Sequence, residues 1–248
     1  MSKLIKTILI TGGSNGIGEG IIKLLASKGH NIIFTYNKRS EKAKKIVIKN
    51  KIKKDQILPI KIDLEKHSQI DTLFSKIIKR FGKIDCLINN AAYFVTRKKF
   101  ENISLDHAKK IMNINFFANF KLSQKFNQMN KKSKEWKTII NISSTAAKFG
   151  GINFTHYAPT KAALENLTYG LSRELSENKI RVVNVAPGII DTRNLKIKSS
   201  KADFQKIIAT IPNKRLGSPK DVANLIEFLI DEKSNYINGT TITISGGR

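Results

Sequence analysis

Short apolar runs rich in β-branched residues alternate with longer amphipathic stretches along the whole chain of 248 residues. Seven runs have the length and composition of strands: 7–11, 31–36, 57–62, 86–89, 138–143, 181–185 and 240–244. Stretches with apolar residues at helical spacing lie between them, at 16–28, 68–81, 105–127, 157–178 and 219–230. This alternation is typical of a parallel sheet covered on both faces. We predict an α/β fold, a three-layer doubly wound parallel sheet of about seven strands (Rossmann fold), as a single domain over residues 1–248.

Charge is the unusual property of the composition. Lys and Arg number 45 against 19 Asp and Glu, which leaves a formal net charge of +26. Such a field attracts nucleic acid, anionic lipid, acidic proteins or phosphorylated metabolites. The lysines are spread along the chain, however, and no arginine-rich arm, zinc pattern or RNA-binding aromatic signature accompanies them. We interpret the charge as a compositional drift toward Lys, Ile and Asn and expect no nucleic-acid partner.

The sequence contains no segment typical of export or of membrane insertion. Its first apolar run stops at Gly12, which is too short for a signal-peptide core, and no run of about 20 apolar residues follows. Cys86 is the only cysteine and lies in an apolar strand, so neither an internal disulfide nor a cysteine-based metal site can form. We expect a cytoplasmic protein with no membrane contact and no metal.

A glycine-rich loop joins the first predicted strand to the first predicted helix. Its spacing differs from the common G-x-G-x-x-G pattern, but its place between a strand and a helix favours dinucleotide binding. Glycines permit a tight turn and close approach to a pyrophosphate, and the helix N-terminus supplies free N–H groups. The residues predicted to bind are Gly12, Ser14, Asn15, Gly16, Ile17 and Gly18.

The end of the second strand predicts which dinucleotide binds. A site that prefers NAD usually offers an Asp or Glu here to hold the ribose 2′-hydroxyl. This chain offers Asn37, Lys38 and Arg39 instead. No carboxylate repels a 2′-phosphate, and Lys38 or Arg39 can pair with one. We therefore predict NADP(H) in preference to NAD(H).

Tyr157 and Lys161 lie four residues apart in a predicted helix, so the phenol and the ammonium share one face. A fixed cation favours the phenolate and brings the pKa of the tyrosine toward the range useful for proton transfer. The same pair also occurs as a packed ring beside a solvated lysine. Only its combination with the other motifs indicates catalysis.

Taken in order, these motifs resemble those of the short-chain dehydrogenase/reductase family over nearly the whole chain. Residues 11–18 resemble its glycine motif, and residues 89–92 resemble its Asn-Asn-Ala-Gly motif with Ala92 in the last place. Asn115 matches the catalytic asparagine, and Ser144, thirteen residues before Tyr157, matches the catalytic serine. The resemblance implies further cofactor contacts from Asp63, Leu64, Asn90, Ala91, Tyr157, Lys161, Pro187, Gly188, Ile190 and Thr192.

The resemblance also implies a role for each catalytic residue. Tyr157 would donate a proton in carbonyl reduction and accept one in alcohol oxidation, while Ser144 would hydrogen-bond the carbonyl oxygen. Lys161 would lower the tyrosine pKa and bind the nicotinamide ribose. Asn115 would hold a water that links Lys161 to solvent.

Several alternatives remain open. Ser143 competes with Ser144, and Asn113 competes with Asn115. Within the family the best likeness is to 3-oxoacyl-[acyl-carrier-protein] reductases, through residues 212–219 and 237–240, but the same features recur in sugar, polyol and steroid dehydrogenases. A basic nucleic-acid or membrane-surface binder on this scaffold is a third interpretation, against which the complete catalytic set argues.

The substrate and the partners follow from the resemblance only in outline. We expect a small-molecule or acyl-thioester substrate, and an acidic acyl carrier protein would suit a basic enzyme. Counterparts of the family's carrier-docking arginines are not evident at 134–137 and 177–179. Residues 189–215 should form the substrate lid, with Lys196, Lys198 and Lys201 facing either an anionic substrate or water. Relatives are commonly tetramers, so we expect a homotetramer.

Overall fold

The computed structural model describes residues 4–49, 52–93, 95–192 and 201–248. Within these ranges a seven-stranded sheet has the order β3-β2-β1-β4-β5-β6-β7, and all neighbouring strands are parallel. The strands are β1 (Thr7–Ile10), β2 (Asn31–Tyr36), β3 (Ile57–Lys61), β4 (Cys86–Asn89), β5 (Lys137–Ile142), β6 (Ile180–Pro187) and β7 (Thr241–Ile244). The prediction of a doubly wound Rossmann-type sheet is confirmed.

Helices cover both faces of the sheet. They are α1 (Gly16–Ser27), α2 (Ser40–Lys49), α3 (Gln69–Phe81), α4 (Leu105–Met112), α5 (Ala118–Asn130), α6 (Ala146–Phe149), α7 (Ala158–Glu174), α8 (Lys201–Ala209) and α9 (Pro219–Ile230). Side chains alternate between the two faces of each strand. Ile8 and Ile10 therefore pack with α1 and α9, whereas Leu9 packs with α3 and α5. No helix in the described ranges is long and apolar enough to cross a membrane.

The helices differ from the sequence prediction in several places, one of which is the short helix α6, absent from the predicted helices. The predicted helix over 105–127 is interrupted by a π-helical turn, Asn113–Phe117, in which the N–H of Ala118 reaches back five residues to the carbonyl of Asn113. The basic stretch after β2 forms α2, which is absent from the predicted helices although Ala43 and Ile46 are buried at helical spacing. Helix α8 lies in the predicted lid.

Part of that predicted lid lies outside the described residues. Residues 193–200, which include Lys196 and Lys198, belong to the ranges that the structure does not describe, as does the side chain of Lys201. The described part of the lid includes Ile190, which forms an isolated parallel bridge with Gly217.

A buried arginine ties β6 to the end of α9. Arg181 is 1% exposed, and its guanidinium donates to the main-chain carbonyls of Leu229, Ser234 and Ile237 and to the hydroxyl of Ser234. Burial lowers its pKa. These carbonyls lie in the last turn of α9 and just after it, where intrahelical donors are lacking. The guanidinium therefore adds a charged donor to this chain end, where the Leu229 carbonyl also accepts from the Ser234 hydroxyl and the Ser234 carbonyl from the Ile237 N–H.

Replacing Arg181 with alanine should lower the free energy of unfolding by roughly 3 to 5 kcal/mol, because several buried carbonyls lose a charged donor. Urea denaturation followed by circular dichroism measures this change. Arg173→Ala, at an exposed arginine of α7, is the control and should change the value by less than about 0.5 kcal/mol. Equal effects of the two substitutions would show that the guanidinium does not stabilise this chain end.

Candidate active site

The order of the chain across the sheet reverses between β1 and β4, which is where open α/β sheets bind their ligands. Thr11 and Asn90, the residues that follow these two strands, are joined by hydrogen bonds. The Thr11 hydroxyl accepts from the N–H groups of Asn90 at 3.0 Å and of Ala91 at 2.9 Å. Asn90 Nδ2 donates back to the carbonyls of Thr11 at 2.9 Å and of Gly12 at 3.2 Å. The glycine loop is therefore fixed at this point of the sheet.

The glycine loop fits a pyrophosphate. Gly16 has φ +55°, a conformation that L side chains rarely adopt. At Gly18 a Cβ would lie 2.6 Å from the Gly12 carbonyl oxygen and 2.7 Å from Asn90 Nδ2. Asn15 precedes α1 and makes no side-chain hydrogen bond to the helix, so its first N–H groups are left for a ligand. The predicted loop residues Gly12, Ser14, Asn15, Gly16, Ile17 and Gly18 all lie between β1 and the first turn of α1.

The residues predicted to meet the adenosine half follow β2 and β3 at the same edge of the sheet. Asn37, Lys38 and Arg39 are exposed after β2. Asp63 and Leu64 follow β3, and Asn37 Nδ2 donates to Asp63 Oδ1 at 3.3 Å. Leu64 is 7% exposed. The fold thus brings a carboxylate, Asp63, next to the end of β2, where the sequence showed none.

The segment after β6 reaches back to the glycine loop. Pro187 ends β6, and the N–H of Gly188 donates to the carbonyl of Ile244 at 2.8 Å. Thr192 lies against Gly16, where a Cβ would come within 3.3 Å of the threonine methyl group. Two loops from opposite halves of the sheet therefore meet over the start of α1.

Tyr157 and Lys161 come together at the start of α7, beside the end of β5. Lys161 Nζ lies 5.8 Å from the centroid of the Tyr157 ring and donates to the carbonyl of Ile142 at 2.8 Å. Ser144 adjoins the Tyr157 side chain, and its hydroxyl accepts from the N–H of Ala146 at 3.2 Å. The three side chains predicted from the sequence thus form one cluster.

Burial dominates the ionisation of this cluster. It raises the pKa of Tyr157 to about 12, against the opposing effect of the hydrogen bond from Ser144. It lowers the pKa of Lys161 to about 8. The net pKa of Tyr157 thus moves opposite to the direction expected from a neighbouring cation, because loss of solvation is the largest effect on the phenol. At neutral pH Tyr157 is a neutral phenol and Lys161 is mostly charged.

The two serines have different surroundings. Ser143 is 4% exposed and donates to Glu165 Oε1 at 2.7 Å, so its hydroxyl is occupied by a carboxylate of α7. Ser144 is partly exposed and adjoins Tyr157. This arrangement favours Ser144 over Ser143 as the residue that faces a substrate.

The two candidate asparagines also differ in their surroundings. Asn113 Nδ2 donates to the carbonyl of Glu65 at 3.3 Å, away from the tyrosine. Asn115 is completely buried; its Oδ1 accepts from the N–H of Tyr93 at 2.7 Å, and its Nδ2 donates to Thr160 Oγ1 at 3.1 Å. Asn115 is the one that reaches the start of α7, which carries Tyr157 and Lys161 and is named the catalytic turn below. Each polar atom of its amide thus has one protein partner, and these two bonds join the loop after β4 to the start of α7.

Two threonines that hold the site together were missed. Thr11 lies inside the glycine motif, but only the pairing of β1 with β4 shows that its hydroxyl serves Asn90 and Ala91. Thr160 precedes Lys161, and its hydroxyl donates to the carbonyl of Tyr157 at 2.8 Å. A hydroxyl three residues after a helix start is a recognisable local signal, although the Asn115 contact is not.

Comparison with known proteins agrees with this geometry. A family model described as Enoyl-(Acyl carrier protein) reductase matches residues 12–248. The chain is 35% identical over 246 residues to the 3-oxoacyl-[acyl-carrier-protein] reductase FabG of Aquifex aeolicus, covering 98% of this chain and 96% of that one. The protein of the same name from Staphylococcus aureus is 31% identical, with 99% and 98% covered.

Solved structures agree as well. A short chain dehydrogenase from Burkholderia cenocepacia in complex with NADP has a TM-score of 0.89 at 31% identity, covering 98% of this chain and 97% of that one. A 3-ketoacyl-(acyl-carrier-protein) reductase from Brucella melitensis complexed with NADH has a TM-score of 0.88 at 29% identity, covering 98% of each. Fold and site define a nicotinamide-dependent oxidoreductase that acts on carbonyl and alcohol groups. The chain belongs to the short-chain dehydrogenase/reductase family.

The lowered pKa of Lys161 predicts a cost in stability. An unfolded lysine holds its proton up to about pH 10.4, whereas the folded one loses it near pH 8. Between these values the unfolded state binds more protons, so stability rises with pH, and the full cost is present below pH 8. Lys161→Met should therefore raise the Tm of the cofactor-free protein at pH 7, and the gain should shrink between pH 8 and 10.4. Scanning calorimetry across that range measures it.

The control is Lys220→Met, at an exposed lysine of α9. Its Tm should follow that of the wild type at every pH. A Lys161→Met protein that is less stable than the wild type at pH 7 would show that the ammonium is well solvated and that its burial carries no cost.

Proposed function

We propose that this protein reduces the keto group of 3-oxoacyl thioesters to a hydroxyl with NADPH. The observation that carries the proposal is the cluster of Ser144, Tyr157 and Lys161 beside the glycine loop at the switch point of the sheet. The names of the relatives from Aquifex aeolicus and Staphylococcus aureus support the thioester substrate.

The residues of this chain supply binding and proton transfer, and the bound nicotinamide supplies the hydride equivalent. When a substrate binds, the adjoining Tyr157 and Ser144 hydroxyls each direct their single proton to its carbonyl oxygen. Tyr157, held neutral by its burial, gives its proton to that oxygen as negative charge develops. The nearby Lys161 ammonium stabilises the phenolate that remains. Alcohol oxidation is the reverse sequence.

Lys161 also binds the nicotinamide ribose in this proposal. Asn115 touches neither substrate nor cofactor and instead holds the other groups in place. Its amide joins the loop after β4 to α7 through Tyr93 and Thr160. The groups proposed to hold the dinucleotide are the glycine-loop residues, Asn37, Lys38, Arg39, Asp63, Leu64, Asn90, Ala91, Pro187, Gly188, Ile190 and Thr192.

We also propose a homotetramer that works in the cytoplasm and receives its substrate from acyl carrier protein. Phe117 is 50% exposed and Phe120 is 39% exposed, and both rings pack on Phe116 where the π-helical turn joins α5. An apolar face of this kind is suited to contact with a second subunit. The net charge of +26 suits an acidic carrier protein.

A substrate panel tests the function. NADPH oxidation is followed with acetoacetyl thioesters of coenzyme A and of carrier protein, with a crotonyl thioester as the enoyl control, and NADP reduction is followed with sugars, polyols and steroid alcohols. We expect turnover with the acetoacetyl thioesters. No turnover with either of them, together with turnover of an alcohol or of the enoyl thioester, would refute the proposal.

Tyr157→Phe and Ser144→Ala should each lower kcat by about 100- to 10,000-fold, because each removes a donor to the reacting oxygen. The Kd of NADPH, measured by fluorescence titration, should change by less than about threefold. Ser143→Ala is the matched control, since that hydroxyl is bonded to Glu165. If Ser143→Ala lost as much activity as Ser144→Ala, the assignment of the serine would be wrong.

Arg39→Glu should reduce the preference for NADPH over NADH by about 10-fold or more, because a carboxylate repels the 2′-phosphate and an arginine pairs with it. The ratio of kcat/KM for the two cofactors measures it. Lys45→Glu, which makes the same charge change on an exposed position of α2, should leave the ratio unchanged. A wild-type enzyme that uses NADH better than NADPH would contradict the cofactor proposal.

A further inference from the structure

The π-helical turn between α4 and α5 is held by a side chain that the proposed mechanism does not use. Asn119 lies in the first turn of α5 and is completely buried. Its Nδ2 donates to the main-chain carbonyl of Asn115 at 2.6 Å. Asn119 Oδ1 has no hydrogen-bond partner among the described residues. The amide is therefore anchored at its donor end, on the central residue of the turn.

A π-helical turn interrupts the regular ladder of a helix and is uncommon for that reason. Its cost must be offset by groups that bond to the displaced main chain. Asn119 supplies such a bond from within the next helix, and it does so at the carbonyl of a residue that is completely buried. Loss of that donor would leave the Asn115 carbonyl with a weaker set of partners and would free the turn to relax.

From Asn115 a line of short hydrogen bonds leads to the catalytic turn. Asn115 Nδ2 donates to Thr160 Oγ1 at 3.1 Å, and Thr160 Oγ1 donates to the carbonyl of Tyr157 at 2.8 Å. Thr160 is 1% exposed and is covalently joined to Lys161. A shift of the π-helical turn is thereby passed to both Tyr157 and Lys161. A displacement of about 1 Å at a catalytic group can cost about 100-fold in rate.

We propose that Asn119 is a positioning residue for the reaction. It fixes the π-helical turn so that the Asn115 amide holds Thr160, and with it the tyrosine and the lysine, in the reactive arrangement. The inference rests on the proposed function, since it concerns the same catalytic turn. Asn119 itself touches neither substrate nor cofactor in this scheme.

The chain offers a matched control on the same helix. Asn130, at the end of α5, is 7% exposed, and its Nδ2 donates to the main-chain carbonyl of Phe126 at 2.9 Å. It makes the same bond, from a side-chain amide to the carbonyl four residues earlier, at the opposite end of the helix. Asn119→Ala and Asn130→Ala therefore remove equivalent interactions, of which only one leads to Tyr157.

The experiment compares the two variants with wild type in the NADPH-dependent reduction of acetoacetyl thioester. For Asn119→Ala we expect kcat to fall by about 10- to 100-fold, with KM and the Kd of NADPH within about twofold, and the pH profile of kcat to shift. For Asn130→Ala we expect kcat and its pH profile to stay as in wild type. Asn119→Ser, whose hydroxyl can donate to the carbonyl four residues earlier, should recover part of the rate.

Two outcomes would overturn the proposal. One is equal kcat for Asn119→Ala and Asn130→Ala; the other is a loss of rate in Asn119→Ala with an unchanged pH profile and no recovery in Asn119→Ser. If Asn119→Ala does not fold, the comparison of Asn119→Ser with Asn130→Ser decides in the same way, with a lower kcat expected for Asn119→Ser alone.

A measurement without substrate separates this proposal from the proposed function. In protein labelled at threonine methyl groups, the NMR signal of Thr160 should move in Asn119→Ala and stay in place in Asn130→Ala. If the Thr160 signal moves in Asn119→Ala but the wild-type protein reduces no thioester, the proposed substrate is refuted and the positioning role of Asn119 stands. An unmoved Thr160 signal in an active enzyme would refute the positioning role alone.

Discussion

The hydrogen bonds between Thr11 and Asn90 are the constraint on which the rest of the site depends. They join the ends of β1 and β4, the two central strands at which the chain order reverses. Because Asn90 also holds the Gly12 carbonyl, the glycine loop keeps one conformation and leaves the start of α1 open to an anion. The proposed catalytic residues follow β5, two strands' width from β1. The sheet therefore sets the distance between the proposed cofactor loop and the proposed proton donor.

The reactive groups are expensive to bury, and the structure holds them with main-chain partners. Burial disfavours both the phenolate of Tyr157 and the ammonium of Lys161. The ammonium is held by the Ile142 carbonyl, and the catalytic turn is held through Thr160 and Asn115. A neutral phenol beside a charged lysine is suited to donating a proton during reduction. The burial that makes the Lys161 ammonium costly for stability also keeps the Tyr157 phenol protonated, as the proposed reaction requires.

The sequence predicted the sheet and the proximity of Tyr157 and Lys161 because both rest on local patterns: the strands on β-branched apolar runs, and the tyrosine and lysine on helical spacing. It did not predict the π-helical turn, since residues 113–117 have ordinary helical composition and the turn is stabilised by Asn119 and Thr160, which become neighbours only in the fold. The sequence also predicted a lowered pKa for Tyr157, whereas the structure raises it, for a similar reason. The spacing reveals the nearby cation but not the loss of solvent around the ring.

A crystal structure of the protein with NADP bound is the most direct test of the proposed site. We predict the pyrophosphate at the N–H groups that begin α1, the 2′-phosphate beside Lys38 and Arg39, and the nicotinamide ring next to Tyr157 and Ser144. Tyr157 and Lys161 should keep their separation, with the lysine nitrogen 5.8 Å from the ring centroid. A dinucleotide bound elsewhere, or a nicotinamide ring remote from Tyr157, would contradict the proposed arrangement of cofactor and proton donor.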